Sequence, residues 1–139
     1  MIMSSLITSE IQNALQGIVP SVMATASASG VPNLTYISQA HFVDDEHLAI
    51  SWQFFNKTWR NIQENPNCSV VVTAPQNWAM WKINLRFEEL LKEGELFDEM
   101  EIALEAIATM QGATDVFKLA AILLCKIESI ETQFHGLRG

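Results

Sequence analysis

Positive charge is scarce in this chain of 139 residues. Eight Lys and Arg stand against sixteen Asp and Glu, a formal net charge of −8. A surface that grips a polyanion needs a basic stripe, and there is none, so neither nucleic acid nor an anionic membrane is expected as a partner. Charge of either sign is low, 17% of residues against about 25% in ordinary soluble domains. Such a chain is expected to hide apolar surface in an oligomer. Long apolar runs are also missing. The longest, LAAILLC from Leu119 to Cys125, is far short of the roughly twenty residues a membrane-spanning helix requires. The stretch MIMSSLITSEIQ has no Lys, no Arg and no long apolar core, so no secretory leader is expected. The two cysteines, Cys68 and Cys125, lie in apolar, strand-like runs and read as buried free thiols. These absences fit a cytoplasmic protein. Also lacking are G-x-S-x-G, a P-loop, G-x-G-x-x-G, a Cys-His pairing and Cys-x-x-Cys, which removes the common signatures of acyl transfer, nucleotide phosphate binding, Rossmann folds and zinc sites.

What is present is a core. Hydrophobic residues make up 49% of the chain, enough for one domain over 1–139. Ser9 and Gln12 have capping-box spacing ahead of Ile11, Leu15 and Ile18, predicting a short helix that ends near Gly17. Three strands follow: Val22–Ala28, Leu34–Val43 and Leu48–Phe55, separated by the turn SGVPN and the polar DDEH. The period then changes. Asn56 is a fair N-cap, Lys57–Glu64 makes two helical turns, and Asn65-Pro66 stops them. Strands are predicted over Cys68–Ala74 and Trp78–Leu90. A helix from Glu95 carries Leu96, Phe97, Met100, Ala103, Leu104, Ile107 and Ala108 on one face and stops at Gly112. Leu119–Ile130 is the last strand. This is a mainly β chain with helices (α+β), and six short antiparallel strands around one core favour a small barrel.

The run NKTWRN, Asn56–Asn61, places Lys57 and Arg60 at a helix start, where cations are mildly unfavourable. A bound anion reverses that. Unpaired backbone N–H groups, the helix dipole, Lys57 and the Thr58 hydroxyl would together cradle a phosphate. The bland alternative is a pair of solvated cations.

The run VMATASASGVPNLTYISQAHFVDDEHLAISWQFFNKTWRNIQENPNCSVVV, Val22–Val72, resembles the pyridoxamine 5'-phosphate oxidase-like family of FMN-binding split barrels. The likeness rests on the G-x-P-N turn, the Asp-Asp turn, N-K-T-x-x-N and the N-P before a β-branched strand. It continues more weakly through LRFEELLKEGELFDEM and the last strand. The resemblance implies a six-stranded antiparallel split β-barrel that forms a homodimer, with FMN sites at the interface and a small-molecule substrate or electron donor. It assigns Lys57 and Thr58 to the FMN phosphate, Ser51 and Trp52 to the cofactor wall, and Tyr36, Ile37, Ser38 and Gln39 to the segment beside the flavin ring. Trp81 falls near a further position that reaches the flavin. Three departures matter. Tyr36 stands where the parent oxidases carry Arg, and Lys-Thr replaces their Arg-Lys pair. The chain also ends at ETQFHGLRG without their basic, aromatic tail, so a compact relative is expected and not the oxidase itself. The family also allows a deazaflavin or haem in place of FMN.

Other residues read less sharply. Trp78 is expected in the core or a dimer contact. His41 aligns near a substrate-facing position of the family. His47 and the acids Asp44, Asp45 and Glu46 read as a solvated turn, and His135 as tail. No third ligand accompanies His41 and His47, so no metal site is expected. Three functions follow: a flavin-dependent oxidoreductase, a non-catalytic flavin or cofactor binding and sensing module, or an apolar dimer without cofactor.

Overall fold

The computed structural model describes residues 7–15, 19–37, 39–52, 57–110 and 119–137. In chain order the elements are α1 (Ser9–Ala14), β1 (Ser21–Ala26), β2 (Pro32–Ile37), β3 (Ala40–Asp44), β4 (His47–Trp52), α2 (Lys57–Glu64), β5 (Asn67–Thr73), β6 (Met80–Leu91), α3 (Glu95–Met110) and β7 (Ala121–Phe134). All strand pairs are antiparallel, in the order β2-β1-β5-β6-β7-β4-β3.

This order makes the sheet curl. Six spacings of about 4.8 Å would hold the edges of a flat sheet about 29 Å apart. The edges are β2 and β3, and Ile37 and Ala40 are only three Cα steps, at most about 11 Å, from each other. The sheet must therefore roll until its ends meet, with the split between Ile37 and Ala40. The Ser51 N–H donates to the Gln39 carbonyl at 3.1 Å and fastens the split to β4. The expected second strand, Leu34–Val43, is thus two strands. A strand has two edges only, and the chain bends here to pass from pairing with β1 to pairing with β4. Seven strands result where six were expected, with the barrel type unchanged.

Alternation fills the interior. Met23, Leu48, Ile50, Val70, Val72, Ile83 and Leu123 are fully buried in one cluster that also takes Trp81, Leu85 and Cys125. The strands β4 and β7 bury both faces. Ala49 and Ile122 point away from the interior and meet Met100 of α3, with Leu91, Leu96, Phe97 and Leu119 around them. This second layer explains why LAAILLC is apolar throughout and not alternating. Both cysteines are free and buried. A hydrogen bond with the Cys68 thiol, and then burial, push the Cys125 thiol well above its usual range, so it is no nucleophile.

Strand bounds shift by one or two residues at β1, β6 and the start of β7, and two further boundaries differ for a visible reason. Thr8 and not Ser9 caps α1: Thr8 is extended, and its Oγ1 accepts from the Ile11 N–H at 3.3 Å, while Ser9 is already helical. The strand β7 runs on to Phe134, because Thr132 and Phe134 pair with Trp81 and Met80. Gly17, Asn56 and Gly112, expected at helix ends, lie outside the described residues, as do the side chains of Ile107 and Ala108. Among the described residues no helix is long and apolar enough to cross a membrane.

Candidate functional site at the barrel split

The helix α2 is held by its inner face. Thr58, Asn61 and Ile62 are buried, at the i, i+3, i+4 spacing that puts them on one side, while Lys57 and Arg60 face solvent. The Asn33 Nδ2 donates to Thr58 Oγ1 at 3.2 Å. Asn61 Nδ2 donates to Thr25 Oγ1 at 3.1 Å. At the far end the Ala28 N–H donates to Glu64 Oε2 at 3.1 Å. Three bonds lace the helix to the β1–β2 hairpin, and Ile62 enters the core. Asn61, Asn33 and Thr25 escaped the sequence reading. The signal for Asn61 was present in N-K-T-x-x-N, whose spacing pairs it with Thr58 on one helix face. Thr58 itself is turned inward. Its oxygen accepts from Asn33, which leaves its own proton to donate.

An aromatic stack links this helix to the end of β4. Trp52 stacks on Trp59 with ring centres 5.2 Å apart, and Phe87 of β6 meets Trp59 edge-on at 5.7 Å. One residue before Trp52, buried Ser51 donates its hydroxyl to the Gln39 carbonyl at 3.3 Å. Gln39 is 4% exposed. Its side-chain Oε1 is buried with no hydrogen-bond partner. An orphaned buried acceptor costs about 1–3 kcal/mol, so a donor supplied by a ligand would be stabilising here.

Ser51 thus meets Gln39 at the split, while Trp52, on the opposite face of β4, stacks on Trp59 of α2, the helix that begins with Lys57 and Thr58. Ile37 lies beside them, buried in the core. Tyr36, 74% exposed, points the other way, as strand alternation demands. Ser38 lies outside the described residues. Trp81 is buried in the barrel interior, with Val72 and Thr132 as its neighbours across the sheet. His41 turns toward α3, its Nε2 3.9 Å from Glu99 Oε2. Burial holds its pKa below the ordinary value, with Glu99 opposing. Trp78 is not a core residue: it is half-exposed in the β5–β6 turn at φ 64°. His47 is not a solvated turn residue either, since both ring nitrogens meet carboxylates. Among the described residues no group of three or more His, Cys, Asp or Glu is placed to hold a metal.

An open cleft of about 550 Å³ lies elsewhere, against β1, β5 and β6, with Ala24, Ala26, Pro32, Ser69 and Asn84 in its walls. It contains none of the expected site residues. Size alone does not make it the site, because the unsatisfied acceptor of Gln39 and the cationic start of α2 both lie outside it.

The same fold occurs in solved structures. An FMN-binding protein from Syntrophomonas wolfei subsp. wolfei superposes with TM-score 0.76 at 18% identity, over 92% of this chain and 86% of that one. The Vibrio cholerae haem storage protein HutZ gives 0.60 at 17%, over 93% and 96%. An F420 reductase gives 0.64 at 16%, over 86% and 94%. No curated protein matches the sequence. The pattern that defines one family, pyridoxamine 5'-phosphate oxidase, does match, and it spans residues 7–131. With that match and the rolled sheet, the chain belongs to the pyridoxamine 5'-phosphate oxidase family.

Proposed function

We propose that this protein binds FMN at the split and acts as a flavin-dependent oxidoreductase on a small molecule. The observation that carries the reading is the buried, unpartnered Gln39 Oε1, and the start of α2, which presents Lys57 to solvent, adds to it. A flavin ring has a flat face, an imide N–H that could satisfy such an acceptor, and a phosphate on a short chain. Lys57 and the first-turn N–H groups of α2 would hold the phosphate, with the Thr58 proton turned toward it. Ser51 would keep the Gln39 backbone in place, and Trp52 would exclude water from one side. When bound, FMN supplies hydride chemistry at its N5. No acid–base residue is assigned. A homodimer with the sites at its interface, in the cytoplasm, completes the proposal. Support for the dimer comes from β2, where Leu34 (71% exposed) and Tyr36 stand in a row on the outer face of an edge strand.

The test is a visible spectrum of the protein after FMN addition and gel filtration, with Lys57→Ala alongside. Wild type should retain a flavin spectrum, and the variant should bind about tenfold more weakly, the value of one charge-assisted hydrogen bond. A protein that ignores FMN in both forms overturns the reading. Anaerobic mixing of the loaded protein with NADH or NADPH separates an enzyme, which bleaches, from a binding module, which does not.

A further inference from the structure

His47 opens β4, directly after the Asp45–Glu46 turn. Its Nδ1 is 2.9 Å from Asp44 Oδ1 and its Nε2 is 2.9 Å from Glu88 Oε1. A carboxylate oxygen only accepts, so each ring nitrogen must carry a proton to make its bond. A neutral imidazole has one such proton and an imidazolium has two. The two carboxylates come from opposite sides of a strand. Asp44 ends β3, Glu88 belongs to β6, and β7 runs between β6 and β4. Both stand at register slips, one between Phe42 and Asp44 and one between Phe87 and Glu89. Bulges re-aim side chains in this way.

We infer that His47 is a pH-sensitive latch, which as an imidazolium ties the β3–β4 turn to β6 across β7 and on losing a proton releases one of the two carboxylates. The charged groups around it are few. On its own hairpin are Asp44, Asp45 and Glu46. Lys126 of β7 is its direct partner across the sheet, and Arg86 of β6 is the partner of Lys126 in turn. Glu88 and Glu89 complete β6. Lys126 and Arg86 oppose the imidazolium, but the carboxylates in contact outweigh them. Asp44 is firmly ionised, because the Glu46 N–H donates to its Oδ1 at 2.8 Å and, with His47, holds its pKa below the ordinary value. The hydrogen bond to Asp44 holds the His47 pKa above its ordinary value; burial opposes it, and the charge of Asp44 and the contacts with Glu88 add to the rise. The latch is therefore closed in acid and opens as pH rises through the folded-state value. Opening is confined to the β6 side, since the Ile127 N–H still donates to the Glu46 carbonyl at 2.7 Å.

Histidine ring NMR of the intact protein between pH 5 and 9 tests the latch, with Glu88→Gln as the variant. The expected result is a His47 ring protonated on both nitrogens at pH 6.5, a midpoint above the ordinary value of about 6.5, and a lower midpoint in Glu88→Gln. The melting-temperature advantage of wild type over His47→Gln should shrink as pH passes that midpoint. A midpoint at or below the ordinary value, or one that Glu88→Gln leaves in place, overturns the proposal. Where His47→Gln does not fold, the titrations of wild type and Glu88→Gln decide.

Discussion

Replacing Asn61 by Ala removes the Asn61–Thr25 bond from a place where neither partner meets water. The bond itself is worth about 1 kcal/mol net, and stranding the Thr25 hydroxyl adds about 1 kcal/mol or more. The total is about 2 kcal/mol before any cavity is counted. At roughly 2.1 cal/mol/K per residue, the 139 residues unfold with an entropy of about 0.29 kcal/mol/K, so the melting temperature should fall by about 7 °C. Calorimetry on Asn61→Ala, Thr25→Val and the double variant Thr25→Val/Asn61→Ala measures this. The double variant removes both polar partners and strands nothing, so it should be clearly more stable than the sum of the single losses predicts. A fall under about 2 °C for Asn61→Ala, or strict additivity in the cycle, would refute the claim that this pair holds α2 on the barrel. On the proposed function FMN affinity falls in Asn61→Ala as well, because Asn61 shares with Thr58 the helix face that meets the β1–β2 hairpin.

Two further outcomes are expected. A Cβ on Gly136 would stand 2.8 Å from Asn77 Nδ2 at a backbone φ of +98°. Gly136→Ala should therefore cost about 1–3 kcal/mol and free the tail held by the Leu137 N–H to Asn77 carbonyl bond, seen as faster amide exchange at Leu137. His41 has a lowered folded-state pKa, so its contribution to stability is present above the ordinary histidine value of about 6.5 and is lost as pH falls below it. A His41→Gln variant should lose that part of the pH slope in the melting temperature; an unchanged slope would contradict the burial assigned to the ring.

Local signals explain what the sequence made legible. The bounds of α2 followed from the change of period and from Asn65-Pro66, which stops a helix whatever surrounds it. The barrel interior followed from alternation in β1, β5 and β6. The break between Ile37 and Ala40 was not legible, because YISQAHF has no Gly or Pro and would serve as one strand if the barrel did not need to close there. The helix cations were legible as the start of α2, where both face solvent. The partners of Thr58 and His47 were not, since Asn33 is 25 residues from the one and Glu88 is 41 residues from the other. No spacing rule reaches that far. The outward direction of Tyr36 was implicit in its alternation with buried Ile37, but a motif matched as a block hides which of its members face which way.

The place of β7 in the sheet has a consequence for synthesis. Among the described strands it alone joins β4 and β3 to the rest, and its pairs with β4 run from Trp52–Ala121 to His47–Lys126. A ribosome adding about 5–20 residues per second makes β4 and then needs several seconds more to deliver its partner. Throughout that delay Leu48, Ala49 and Ile50, all fully buried at the end, lie along an unpaired edge with apolar side chains on both faces. Nascent chains on neighbouring ribosomes can pair through such edges. The interval in which residues 53–121 are made is therefore the one in which this edge of β4 stands open to pairing with another chain.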